Sequence, residues 1–404
     1  MRIAIFSDDS LPDSTRVHAK MLHELALELK SNGHEPVILT PGHKAQSRLV
    51  VDFIDDIEVW RFRSNPTRSG NKLKRAITES LLSVNAYLAI SKKVATRPFD
   101  LYINYSPTIF FGPLIRLLKH RFGGYCYLVL RDMFPQWAID EGLLRKGSLI
   151  TKYFQFFELF NYKTADCIGV MSDANKRFFQ EQYPQFDNVK VLYNWTSLEP
   201  YRENISDEDD IRTQLSLENK IIFFYGGNIG HAQDMGNLLR LVNSMKNHPD
   251  AHFLFVGQGD EVDLVVEAKD RLNLDNLTYL PSVSQSKYQS ILSQVDVGLF
   301  SLAKTHKAHN FPGKLLGYMC QSIPILGSIN SGNDLVRFIR DEQAGYVYVN
   351  GDDSSLFSSA ICLLEDSTLR KQTGDNAYRV LCQYFSVKSA AAAIVDDSHQ
   401  LTVY

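Results

Sequence analysis

Along this chain, apolar runs of strand length alternate with segments of helical spacing, stop at a polar and acidic stretch, and then begin again. That alternation is the pattern of parallel sheets with helices on their faces, because parallel neighbours need a long crossover and a helix supplies it. Strands are predicted at 3–7, 36–40, 101–104, 125–130, 167–171 and 190–193. Helices are predicted at 17–30, after Pro107, at 149–164 and from a cap at Ser172 or Asp173. The stretch SLEPYRENISDEDD (197–210) lacks apolar periodicity and reads as a linker. Beyond it, strands are predicted at 220–225, 252–256, 277–279, 297–300 and 323–327, the last followed by two helices. The expected class is α/β, with two doubly wound Rossmann-like domains facing across a cleft. The boundaries drawn are 1–197, a linker at 198–213, and 214–385.

Composition narrows the function. With 404 residues and 44% hydrophobic content, the chain can bury two or three cores. A formal net charge of -3 argues against a nucleic-acid binder with an overall cationic surface. The five cysteines are odd in number and have no paired metal spacing, which suits reduced thiols in the cytosol. The N-terminus turns polar after six residues, too soon for a signal peptide, and no apolar run reaches the length of a membrane span. A soluble or peripheral protein is expected. The segment 72–97 has helical spacing with basic clusters at both ends. It reads either as a solvated surface helix or as an amphipathic segment on an anionic membrane, where the aromatic run 153–162 would assist it.

Three stretches carry chemistry. In FFYGGNIGHAQDMGNL (223–238) a strand ends in two glycines and leads into a helix, the arrangement that lets backbone N–H groups approach a phosphate. It also occurs as a plain structural turn. In SLAKTHKAHNFPGKLLGYM (301–319), Lys314 falls in a first helical turn, where a cation opposes the helix dipole unless an anion is bound there. His306 and His309 have a metal-ligand spacing but no acidic or Cys partner nearby. LVLRDMFPQW (128–137) puts Arg131 and Asp132 at a strand end, as site residues or as a salt bridge. After the first strand, DDSLPDSTR stands where a nicotinamide-binding chain would carry GxGxxG. Its Ser14, Thr15 and Arg16 sit at a helix start, to touch a phosphate or acceptor hydroxyl or simply to cap the helix.

Taken in order, GHEPVILTP, ADCIGVMSDANKRFF, VLYNWTSLEPY, YGGNIGHAQDM, FLFVGQGDE, VDVGLFSL and NFPGKLLGYMCQSIPILGS resemble the bacterial glycosyltransferases of the GT-B fold and retaining family 4. The resemblance spans essentially the whole chain and is nearest to O-antigen and capsule transferases that move N-acetyl-L-fucosamine. It implies a UDP-sugar on the C-terminal domain and a polyprenyl-diphosphate-linked sugar acceptor on the N-terminal domain, at the cytoplasmic face of the inner membrane. Segment 386–404 would pack back on the N-terminal domain. Gly227, Asn228, His231 and Gln233 would lie near the diphosphate and sugar, Gly257, Gly259 and Val283 would line the base pocket, and Asn310, Phe311, Gly313 and Lys314 would hold the phosphates. Asp132, Lys314 and His309 are the catalytic candidates, and Ser14, Arg16 and Arg131 the acceptor contacts. No metal or cofactor is implied. Where the family carries two glutamates this chain has His309 and Gly317, and Arg131 replaces the His of a His-Asp pair. A nucleotide-sugar epimerase and a non-catalytic nucleotide-sugar-binding subunit are the alternatives; product analysis with donor alone separates the first, and absence of transfer the second.

Overall fold

In the computed structural model, which describes residues 1–12, 14, 16–43, 45–65, 78–106, 108–140, 142–200, 210–305 and 311–399, the chain divides into two units. One contains Met1–Thr196 and the segment from Val387 onward; the other is Ser197–Ser386. Each has its own sheet.

The first unit holds β1 (Arg2–Phe6), β2 (Glu35–Gly42), β3 (Leu49–Ile54), β4 (Ile57–Arg63), β5 (Leu101–Tyr105), β6 (Tyr125–Val129), β7 (Cys167–Val170) and β8 (Val189–Val191). Their order is β3-β4-β2-β1-β5-β6-β7-β8, all parallel except the β3–β4 pair. The chain works outward from β1 on one side and resumes at β5 on the other, so the loops after β1 and β5 flank a switch point. Predicted strands and helices fall within a residue or two of these elements, and helix Leu149–Thr164 matches its predicted span.

The hairpin β3–β4 is an addition to the expected pattern. Its turn is Asp55–Asp56, both left-handed at φ 47 and 59°, the geometry of a two-residue hairpin loop. The cue was present, two alternating runs separated by two aspartates. Residues 66–77, which include the first six of the predicted basic segment 72–97, lie outside the described residues, and most of the remainder forms helix Leu82–Thr96. Helix Val387–His399 closes the unit by packing Ala390, Ala391 and Ile394 onto Ile3, Ile5, Leu22 and Leu25.

The second unit holds β9 (Ile221–Asn228), β10 (Ala251–Gln258), β11 (Leu277–Pro281), β12 (Val297–Ser301), β13 (Ile325–Ile329) and β14 (Gly345–Val349). The order β11-β10-β9-β12-β13-β14 is parallel throughout. Strand β14 was not expected, and beyond β13 the chain forms helices Leu335–Asp341, Asp353–Glu365 and Ser367–Tyr384 before the closing helix, not two. Of the predicted linker, 201–209 lies outside the described residues, while Asp210 caps a short helix, Ile211–Gln214. Among the described residues no helix is long and apolar enough to cross a membrane.

Candidate functional site

Strands β9 and β12 are neighbours, yet the chain leaves them toward opposite halves of the sheet. A crevice therefore opens at their carboxyl ends. The last residues of β9 form its floor. Gly227 has φ 116°, a conformation that favours glycine. On β10, a Cβ at Gly257 would stand 1.8 Å from the Gly227 carbonyl oxygen, so only a second glycine lets the two backbones pass. Gly259 is held the same way against the Ile229 carbonyl, at 2.1 Å. The groove above this floor has a volume of about 380 Å³, and its lining includes Gly227, Asn228, Gly257, Gln258, Val283 and Tyr288. Asn228 donates from Nδ2 to Gln233 Oε1 at 2.7 Å, and Tyr225 donates its hydroxyl hydrogen to the Asn228 carbonyl.

Lys314 opens helix Lys314–Cys320 behind Gly313. Its Nζ lies 3.5 Å from the centre of the Tyr225 ring and 3.9 Å from where a Cβ on Gly227 would sit. The ammonium is buried and has no hydrogen-bond partner among the described residues. Burial pulls its pKa down to about 7. A buried cation held only by an aromatic face is short of an anion, since such groups are otherwise paired. What the arrangement can do is accept a diphosphate over Gly227 and neutralise it.

Two other predicted donor residues, His231 and Phe311, face other partners. The His231 ring turns to Glu261 at 3.3 Å with 90% of its side chain exposed, and is not part of the groove lining. Phe311 packs its ring 5.6 Å from Phe338 and 6.2 Å from Phe385, so it anchors the approach to Gly313. His309 and Asn310, with His306, lie outside the described residues. Tyr225 and Tyr288 were missed by the sequence reading, whereas Gln258 falls inside the 257–259 turn expected at the base pocket. Only Tyr225 had a signal, as the last strand residue before the glycines.

On the first unit, the carboxyl ends of β1, β5 and β6 gather a second polar cluster. Asp8 reaches Arg16 at 3.4 Å and His18 at 3.3 Å, Ser14 donates to Asp9 at 2.7 Å, and His18 stacks on Tyr105 at 5.5 Å. Burial alone would raise the Asp8 carboxyl, but His18 and Arg16 outweigh it and hold it below its usual value. Burial also pushes the Tyr105 hydroxyl up to about 12, with Arg131, Asp132 and Asp8 as its charged neighbours. Asp8, Asp9 and His18 were absent from the sequence expectation, although the paired aspartates directly follow the first strand. Asp132 is exposed, and partial desolvation raises its carboxyl against the pull of Arg131.

Arg131, expected as an acceptor contact or as half of a salt bridge, bonds to backbone. Its guanidinium is buried and donates to the Leu192 carbonyl at 2.6 Å and the Tyr193 carbonyl at 3.2 Å, over the Trp195 ring at 5.1 Å. Burial lowers its pKa to about 10. It ties the end of β6 to the end of β8, while its Nε has no hydrogen-bond partner among the described residues. Among the described residues, no three His, Cys, Asp or Glu side chains converge as metal ligands do.

Two family models bear on these units. Residues 18–195 match the glycosyl transferase 4-like domain, and residues 206–380 match glycosyl transferases group 1. With the two doubly wound sheets, these matches define the chain as a glycosyltransferase of the GT-B fold, related to the family 4 enzymes. It is 24% identical over 312 residues to WcaI of Escherichia coli K12, named as a colanic acid biosynthesis glycosyl transferase, covering 74% of this chain and 76% of that one. The structure resembles that of HepE from Anabaena in complex with UDP, with TM-score 0.69, 14% identity, and 99% and 100% of the two chains covered. It also resembles WaaG, a glycosyltransferase involved in lipopolysaccharide biosynthesis, with TM-score 0.60, 16% identity, and 97% and 99% covered.

Proposed function

We propose that this glycosyltransferase uses a UDP-sugar, held in the groove of the second unit, and transfers the sugar to a polyprenyl-diphosphate-linked acceptor in surface polysaccharide assembly. The observation that carries the donor half is the buried, unpaired ammonium of Lys314 beside Gly227. Support for UDP comes from the HepE complex, and for the polysaccharide from the names of WcaI and WaaG. An amino-deoxy sugar, with N-acetyl-L-fucosamine as first candidate, follows from the sequence resemblance. In this reading Gly227 and Lys314 face the diphosphate, Asn228 with Gln233 faces the sugar, and Gly257 with Val283 faces the base.

The proposed reaction breaks the bond between the anomeric carbon and the UDP oxygen and forms one to the acceptor oxygen. Configuration is retained, with the acceptor proton passing to the departing phosphate. Lys314 neutralises the charge that builds there. Asp8, His18 and Asp132 are the groups on the first unit that would orient the acceptor hydroxyl. The test is calorimetric titration of UDP, GDP and ADP. UDP alone is expected to bind, and Lys314→Ala to weaken it by on the order of tenfold or more. Absence of any nucleotide binding overturns the reading.

Contact with the inner-membrane surface is proposed from one face of the first unit. Helices Leu82–Thr96, Gly112–Phe122 and Leu149–Thr164 pack side by side and expose Leu88, Leu117, Leu149, Ile150 and Phe156. Lys92, Arg116 and Lys152 lie on the same helices. Co-sedimentation with anionic vesicles that falls as salt rises is expected; no sedimentation at low salt counts against it.

A further inference from the structure

The register of the β3–β4 hairpin pairs Leu49 with Phe62. Arg48 therefore stands opposite Arg63, and the Arg63 N–H donates to the Arg48 carbonyl at 2.9 Å. Two guanidinium groups leave the hairpin from opposed positions on one face. Like charges so placed repel each other. Two residues before Arg63, on the same face, Arg61 is neutralised by Asp52 at 3.0 Å and donates to Ser10 at 2.9 Å. No such partner engages the side chain of Arg48 or Arg63 among the described residues.

Together they line a pocket of about 310 Å³ with Ser64, Asn65, Asn85 and Leu88. Two cations, two amides, a hydroxyl and, among the described residues, no carboxylate make an environment for an anion with several oxygens. Leu88 gives it an apolar lip. On the same helix Leu81, Val84 and Leu88 recur at helical spacing and are 46, 52 and 56% exposed. A free phosphate has no use for such a strip; a hydrocarbon chain does.

We propose that this pocket binds the phosphate or diphosphate of a lipid whose chain lies along Leu81, Val84 and Leu88. The pocket lies at the carboxyl end of β4, parallel to β2 and β1. Arg61, which donates to Ser10 and to the Leu11 carbonyl, joins that edge to the loop after β1. A lipid headgroup held here stands on the same edge of the sheet as Asp8, His18 and Asp132. The identity of the lipid rests on the lipid-linked acceptor reading above, whereas the anion site rests on Arg48 and Arg63.

The test is equilibrium binding of radiolabelled farnesyl diphosphate, a soluble prenyl diphosphate, to the full chain and to Arg48→Gln/Arg63→Gln, with inorganic pyrophosphate and farnesol as competitors. Both arginines are exposed, so the variant is expected to fold, and unchanged UDP affinity verifies it. The expected result is binding to the wild type that weakens at least about tenfold in the variant, with neither competitor displacing the probe at equal concentration. Equal affinity in the variant, or no binding to the wild type, overturns the proposal. Displacement by pyrophosphate at equal concentration overturns its lipid half and leaves a soluble-anion site. Loss of UDP binding in wild type would instead strike the donor reading, and farnesyl diphosphate binding would still report on the arginines.

Discussion

Lys314 couples burial and charge in one side chain and, in the function proposed, a ligand as well. Its pKa falls from 10.5 to about 7 because its ammonium is buried. The unfolded chain therefore binds more protons than the folded one between those values. Stability of the empty protein is expected to rise with pH from about 7 to about 10.5 and to be lowest below that window. Lys314→Met should remove the slope and stabilise the empty protein at neutral pH by on the order of a few kcal/mol, which thermal melts across a pH series would read. The same change should lower kcat by on the order of 10²–10³, as for loss of a group that stabilises transition-state charge. A diphosphate over Gly227 restores the ammonium, so UDP binding near pH 8 should take up a proton. Calorimetry in buffers of different ionisation heat would show it; an enthalpy independent of buffer would break the link between Lys314 and the phosphates. The place of Lys314 in a first helical turn was legible in the sequence. Its stacking on Tyr225 was not, because the two lie 89 positions apart in the chain and only the sheet order brings them together.

At the scale of elements, the groove depends on β9 and β10 passing closely at Gly227 and Gly257. Gly257→Ala puts a methyl 1.8 Å from a carbonyl oxygen and is expected to destabilise the second unit by about 1–3 kcal/mol or more. Denaturant titration would measure the cost, and UDP binding should fall even in the molecules that remain folded. Arg131 is the counterpart on the first unit. Arg131→Met leaves the Leu192 and Tyr193 carbonyls without their donor, at about 1–3 kcal/mol each, and should lower the melting temperature with acceptor KM unchanged. A higher acceptor KM at unchanged stability would return Arg131 to the acceptor site. Sequence periodicity found the long buried strands because both their faces are apolar. It missed β14, where GYVYV is a short edge strand, and the β3–β4 hairpin, whose ends carry charge.

For the whole molecule, the division into units has a consequence at the C-terminus. Helix Val387–His399 contributes Ala390, Ala391 and Ile394 to the core around β1, and Asp397 pairs with Lys190. A chain ending at Ser386 is expected to lose the cooperative melting of the first unit while the second still melts as a unit and binds UDP; scanning calorimetry with and without UDP would separate the two transitions. What the sequence determined by itself was the doubly wound class, the break near residue 200, the glycine loop and the Lys314 helix start. All are local, since strand–helix alternation, glycine and a first-turn cation each act within a few neighbours. What only the tertiary structure decided was which distant groups meet: Lys314 on the Tyr225 ring and Arg131 on the carbonyls beyond β8. Those meetings depend on strand order and register, which follow from burying both sheets and are not encoded in the spacing of any single stretch.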